Sequence, residues 1–174
     1  MTTIFPLLVG IAEGSGTQEV WRLATDYFAS LGFSRVNYGF TRFRSVRSIG
    51  DPDDALYLTT ASEAYAASYF RNGFYAKTPA FRWARENEGA TTWTWVREAY
   101  LAGKLSPIEM ETVQQNMAAG ITAGISISFP VTSARAKGAM GLIADPGLSA
   151  EDVDKIFADK QSEFLPVAHM LHLK

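Results

Sequence analysis

At 174 residues, with 47% apolar and 20% charged side chains, the chain is long enough for one compact core, and its composition excludes a disordered tail or a fibrous repeat. Sixteen Lys and Arg against eighteen Asp and Glu leave a net charge of -2, which excludes a surface built to neutralise nucleic-acid phosphates. The absence of cysteine removes disulfides, thiolate metal sites and a cysteine nucleophile, and points to a reducing, cytoplasmic setting.

From the N-terminus, Ile4 to Ala12 is apolar but holds Pro6, lacks a preceding basic residue and is too short to span a bilayer. It is expected to pack as the first segment of a soluble protein. A helix is expected from Thr17 to Leu31, where Val20, Leu23, Ala24, Tyr27 and Phe28 recur at helical spacing; Ser15 with Gln18 has the capping-box pattern and Gly32 supplies the stop. Phe33 then enters a strand. Val36, Tyr38 and Phe40 alternate with Asn37, Gly39 and Thr41, bulky on one face and small or polar on the other. Asp51 to Asp54 reads as a turn before a short strand, Ala55 to Thr59. Thr60 with Glu63 predicts a capped helix to about Asn72, ended by Gly73, which puts Ala61, Tyr65 and Tyr69 on one stripe.

Between Phe74 and Trp95 the pattern weakens to aromatic-rich loop and short helix. Ser106-Pro107-Ile108-Glu109 is a strong helix start, with Met110, Val113 and Met117 as the expected buried face and Gly120 as the stop. Ile125, Ile127 and Phe129 alternate with Ser126 and Ser128, and after a polar loop from Thr132 to Lys137 a strand runs from Ala139 to Ala144, giving an antiparallel hairpin. The last helix starts at Ser149 with Asp152 three residues on, carries Val153, Ile156, Phe157, Phe164 and Leu171, and is expected to kink near Pro166. Helices and strands without regular alternation indicate an α+β protein with an antiparallel sheet.

Three strands thus repeat one feature, a face of small or polar residues: Asn37/Gly39/Thr41, Ser126/Ser128 and Ala139/Gly141. Solvation of that face is one reading. Four amphipathic helices, however, need more apolar surface than one sheet face supplies, so the small-residue face is expected to be covered as well, with room left for a ligand-sized cavity.

No catalytic constellation is found. Gly14 and Gly16 begin a GxG, but Glu19 stands at the third glycine position, so no phosphate or dinucleotide loop is expected, and no cofactor is implied. His169 and His172 have no carboxylate or thiol placed beside them, which favours a helix-end role over a metal site. Arg35, Arg42, Arg44 and Arg47 form the basic cluster and fit a solvated or interface edge. The aromatic group Tyr65, Tyr69, Phe74, Tyr75, Phe81, Trp83, Trp93 and Trp95 is core or, because buried Tyr and Trp need hydrogen-bond partners, a wall that meets a ligand carbonyl.

LGFSRVNYGF at residues 31–40, YFRNGFYAKTPAF at 69–81 and TTWTW at 91–95, with the later AAGITAGISISFP and KGAMGLIAD, resemble the autoinducer-binding domain of LuxR-family quorum-sensing transcription regulators. The resemblance covers most of the chain from Leu31 onward. It implies an α-β-α sandwich with a five-stranded antiparallel sheet, and an acyl-homoserine lactone held between the sheet and one helical layer. Tyr65 stands where the family has a Trp that donates to the lactone carbonyl, and Tyr69 matches the Tyr on the acyl carbonyl. Thr78 replaces the Asp that accepts from the ligand amide, Trp93 matches the wall over the lactone ring, and Gly141 stands where a Ser or Thr is often found. Asn37, Gly39, Thr41, Ala55, Tyr57, Ala61, Phe81 and Ser126 fall at pocket positions.

The implied function is a small-molecule sensor that performs no chemistry and forms homodimers, with DNA bound only through a helix-turn-helix domain beyond these residues; residues 1–174 are read as a single sensor domain. The alternative is a DNA-binding-deficient partner that silences a full-length regulator by pairing with it. Phe164, Leu165 and Leu171 are the expected dimer stripe.

Overall fold

The computed structural model describes residues 3–41, 56–131 and 136–174. Two N-terminal helices, α1 (Phe5–Glu13) and α2 (Thr17–Ser30), precede strand β1 (Arg35–Thr41). After β2 (Leu56–Thr59) come the short α3 (Glu63–Ala66), a π-helical turn (Ala67–Arg71), a 3-10 turn (Phe74–Lys77) and α4 (Pro79–Glu86). Then follow β3 (Gly89–Thr92), α5 (Thr94–Leu101), α6 (Pro107–Ala118), the hairpin β4 (Gly124–Ser128) and β5 (Lys137–Ile143), and α7 (Ala150–Leu173). The strands form one antiparallel sheet in the order β2-β1-β5-β4-β3. The α+β expectation with five antiparallel strands holds.

Register explains both faces. One row across the sheet runs Leu58, Tyr38, Met140, Ile127 and Ala90, and these residues belong to the core built with Ile11, Val20, Phe28, Phe164 and Val167 of α1, α2 and α7. The adjacent row points to the opposite side and runs Thr59, Asn37, Gly141, Ser126 and Thr91. That side is covered by the segment from α3 to α6, so solvation of the small-residue face is excluded.

Several local expectations are corrected. Ser15 does not cap α2; Gly16 holds the cap position without a side-chain bond, and the Ser15 N–H donates to Glu19 Oε2 at 3.1 Å. The cap of α3 is Ser62, whose hydroxyl accepts from the Tyr65 N–H, because the Thr60 hydroxyl is engaged with the start of β1, accepting from Val36 N–H and donating to Ser34 O at 2.9 Å. Ala61 therefore precedes the helix and does not share the stripe of Tyr65 and Tyr69. The segment from Phe74 to Trp95 holds a short helix, α4, as expected, but also β3, which was not; β3, Gly-Ala-Thr-Thr, is too short and small to announce itself by alternation.

On α6 the capping box of Ser106 and Glu109 forms, but the buried residues are Glu109 and Thr112, while Met117 is half exposed. Glu109 is kept inside by Arg82, whose Nε donates at 2.6 Å. The Ser149–Asp152 capping box also forms, and α7 continues as one helix through Pro166. Phe164 and Leu171 are buried in the core, so they cannot be an exposed dimer stripe; the exposed large apolar side chains include Phe5 and Val9 of α1 and Leu173.

His172 stands in the last turn of α7, the helix-end position expected, and is packed there. Its ring stacks on Phe129 at 4.1 Å and 2°, lies over Gly138, and its Nδ1 is hydrogen-bonded to the Tyr38 hydroxyl at 2.9 Å. Among the described residues no group of three or more His, Cys, Asp or Glu could hold a metal ion, and no helix is long and apolar enough to cross a membrane. Arg35 donates to the carbonyls of Ala144 and Gly120. Arg42, Arg44, Arg47, the Asp51–Asp54 turn, Ala55 and the loop residues 132–135 lie outside the described residues.

Candidate functional site

The small-residue face of the sheet is the floor of two adjoining hollows, an inner and an outer lobe, that share part of their lining. Asn37, Tyr69, Ala80, Trp93 and Gly141 line both. The inner lobe, about 90 Å³, adds Gly39, Thr41, Ala139 and Ser126 as floor and Tyr57, Phe70, Tyr75 and Phe81 as walls. The outer lobe, about 60 Å³, adds Tyr65, Thr78 and Pro79 on one side and Val96, Val113, Asn116 and Ile121 of the α5–α6 region on the other. Of the residues singled out from the sequence, Tyr65, Tyr69, Thr78 and Trp93 thus surround the outer lobe together, whereas Ala61 lines neither lobe.

Trp93 owes its place to the small residues beneath it. Its backbone N–H donates to Gly124 O at 2.9 Å, its indole N–H donates to Ser126 Oγ at 2.8 Å, and its ring lies so close to Gly124 that a Cβ there would sit 2.8 Å from it. The ring thus forms a flat wall while its one donor is spent on the floor.

The polar groups differ in what they have left to offer. Asn37 is fixed from both ends: its Oδ1 accepts from the Thr59 hydroxyl at 2.7 Å and its Nδ2 donates to the Tyr65 hydroxyl at 3.0 Å. Tyr65 keeps its own O–H donor. The Thr78 hydroxyl donates to Tyr75 O at 2.8 Å and accepts from the Phe81 N–H at 3.2 Å, capping α4, so one lone pair remains. Tyr69 has no hydrogen-bond partner among the described residues. Burial, with Tyr65 and Tyr75 adding to it, raises the Tyr69 pKa well above the usual phenol range. Tyr65 is raised too, by burial, against the opposing effects of the Asn37 hydrogen bond and Arg35. Both phenols are therefore protonated donors at neutral pH. The arrangement offers two O–H donors, one neutral acceptor and a flat wall to a polar head group, beside a lobe lined by rings; it contains no paired nucleophile and base.

Sequence reasoning missed Phe70 and Ala80 in the lining, as well as Lys137, which is 3% exposed and whose Nζ donates to Phe129 O at 3.0 Å. The Tyr69-Phe70 pair is adjacent in sequence, and regular helical spacing would separate them by about 100°. The π-helical turn at Ala67–Arg71 widens the helix there, and both rings reach the cavity. Lysine in a polar loop carries no sign of burial, so Lys137 was not legible.

Comparison with solved structures gives the same fold at low identity. The N-acylhomoserine-lactone-dependent LuxR-family transcription factor CepR2 from Burkholderia cenocepacia is 14% identical with a TM-score of 0.70, over 97% of this chain and 90% of that one. Escherichia coli SdiA is 13% identical with a TM-score of 0.71, and this chain, 97% covered, spans 64% of its length. The VqsR ligand-binding domain from Pseudomonas aeruginosa is 13% identical with a TM-score of 0.58, over 98% and 95%. No curated protein matches the chain in sequence. The family model of the autoinducer binding domain matches residues 16–174, and the chain belongs to that family.

Proposed function

We propose that the domain binds a small acylated signal, an acyl-homoserine lactone or a close relative, with its head group in the outer lobe. The observation that carries this reading is the Tyr69 hydroxyl, a donor on the wall shared by both lobes that has no hydrogen-bond partner among the described residues and is free to meet a carbonyl. Tyr65 donates to a second carbonyl, Trp93 covers the ring of the head group, and Thr78 accepts from an amide N–H or leaves that position unused. SdiA has been crystallised with octanoyl-rac-glycerol, an ester with no amide N–H. That chemistry supports a site in which a neutral Thr78 suffices.

The domain reports occupancy through its stability and its pairing, as a homodimer in the cytoplasm, and reaches DNA only through a separate helix-turn-helix domain. The exposed Phe5 and Val9 on α1 support a contact surface for a second copy. Titration of octanoyl-homoserine lactone and octanoyl glycerol against the purified protein, followed by Trp fluorescence and thermal shift, tests the reading. Saturable quenching with a raised Tm is expected from at least one of them. No response from either, or from shorter acyl members of the two series, would sink it.

A further inference from the structure

We infer that the alkyl tail of the bound signal lies in a third hollow, between α5, α6 and the start of α7, rather than in the inner lobe; the inference rests on the signal-binding reading above. This hollow measures about 390 Å³, and Trp93, Val96, Val113, Asn116 and Ile121 line both it and the outer lobe. A tail attached to a head group in the outer lobe therefore has two ways to go.

Size and stiffness decide between them. An apolar protein cavity of roughly 150 Å³ takes up benzene. The inner lobe, about 90 Å³, is smaller than that, whereas the third hollow is more than twice as large. Nor can the inner lobe widen cheaply. Tyr57 stacks on Phe70 at 4.4 Å, Tyr75 meets Phe81 edge-on at 5.0 Å, and the Tyr57 and Tyr75 hydroxyls are hydrogen-bonded to each other at 3.0 Å, so displacing one ring displaces several.

The partition towards the third hollow is of another kind. Beside Trp93 it consists of three branched aliphatic side chains and Asn116, whose side-chain amide has no hydrogen-bond partner among the described residues. No residue of α5 is fully buried, and the buried residues of α6, Glu109 and Thr112, lie before Val113 in the helix. Small shifts there disturb no close-packed core. Beyond the partition the lining includes Leu101, 73% exposed, and Met117, 50% exposed. An alkyl chain covers that apolar surface, and the unbranched Met side chain adapts to its shape. Arg97 and Glu151, paired at 3.0 Å and largely exposed, mark the mouth.

The test compares butanoyl with octanoyl members of the homoserine lactone and glycerol series, by fluorescence titration and thermal shift on the intact protein. A fully buried methylene is worth about fourfold in affinity. In whichever series binds, the octanoyl member is expected to bind at least about thirtyfold more tightly than the butanoyl one. Met117→Glu puts a charge in the tail path on a half-exposed position, and is expected to cut that advantage at least about tenfold. Leu101→Glu, nearer the surface, should cut it at least about threefold. An octanoyl ligand that binds no more tightly than its butanoyl partner overturns the tail assignment and leaves the signal-binding reading intact, as does an undiminished advantage in both folded variants. Silence from both series overturns both.

Discussion

The two faces of the sheet are built from the same strands, yet they are packed to different standards. On the side of α1, α2 and α7, Phe28, Ile125, Ile127, Phe129, Leu142 and Phe164 have no exposed surface, and nothing but side chains fills the space. On the other side, small residues are roofed by half-buried rings, and two lobes stay open. The difference comes from residue size at alternate positions, since a one-residue shift along any strand exchanges bulky for small. It teaches that stability is concentrated on one face, which leaves the other free to keep a hollow and unpartnered donors.

The largest effect is expected on the close-packed side. Phe129→Ala removes a ring that touches Tyr38, His169 and His172. Urea unfolding is expected to show a loss of about 3–5 kcal/mol, as for other buried Phe truncations. A next smaller effect is expected from Gly124→Ala. Its Cβ would sit 2.5 Å from the Leu142 carbonyl and 2.8 Å from the Trp93 ring, and the backbone cannot yield cheaply. The expected cost is about 1–3 kcal/mol, together with weakened ligand binding because Trp93 must lift off the floor. Unchanged affinity in that variant would show that the Trp93 wall does not touch the ligand.

Why the close-packed face was the more legible follows from the same contrast. Strict alternation in Val36-Tyr38-Phe40 and Ile125-Ile127-Phe129 is a signal of burial, and the register of β1, β5 and β4 bears it out. Gly73 stops the helix of Tyr65 and Tyr69 at φ 73, as expected of a residue without a Cβ. The cavity roof was hidden because its elements are short and depend on partners: β3 exists by pairing with β4, the π-helical turn follows no simple period, and Glu109 is buried because Arg82 meets it. Even so, small residues at alternate strand positions were enough to place the cavity on the correct side. The head-group residues came from the resemblance, while the commitment of the Thr78 hydroxyl to the α4 cap shows only in the folded chain.

That commitment sharpens the smaller predictions. Thr78→Asp keeps the cap, since Asp caps at least as well as Thr, and frees a second, charged oxygen for an amide N–H. Acyl-homoserine lactones are expected to bind about tenfold more tightly, from roughly 1–2 kcal/mol of charge-assisted bonding. Acyl glycerols should gain nothing and lose affinity to an unpaired carboxylate. An unchanged lactone affinity in the folded variant removes Thr78 from the site. Tyr69→Phe should cost roughly 0.5–1.5 kcal/mol of binding, at most about tenfold in Kd, while the unliganded Tm does not fall, because the hydroxyl has no partner to lose. A fall in unliganded Tm would mean that Tyr69 supports the fold rather than the ligand.

The smallest effect returns to the close-packed face. Burial, reinforced by His169 and Lys137, lowers the His172 pKa below its usual value, and the ring is enclosed by Tyr38, Phe40 and Phe129. A histidine held neutral in the folded state takes up its proton first in the unfolded chain. Its contribution to stability is therefore complete above the unfolded value of about 6.5 and is lost as pH falls below that value towards the folded one. Thermal unfolding from pH 7.5 down to 5.5 should show a falling Tm, and His172→Gln, which can still bond the Tyr38 hydroxyl, should flatten that slope. Over the same range ligand affinity should change little, since His172 lies on the face away from the cavity. A slope kept in full by His172→Gln would assign the acid sensitivity to other groups, whereas a slope that appears in ligand affinity but not in Tm would mean that the two faces are coupled through the sheet.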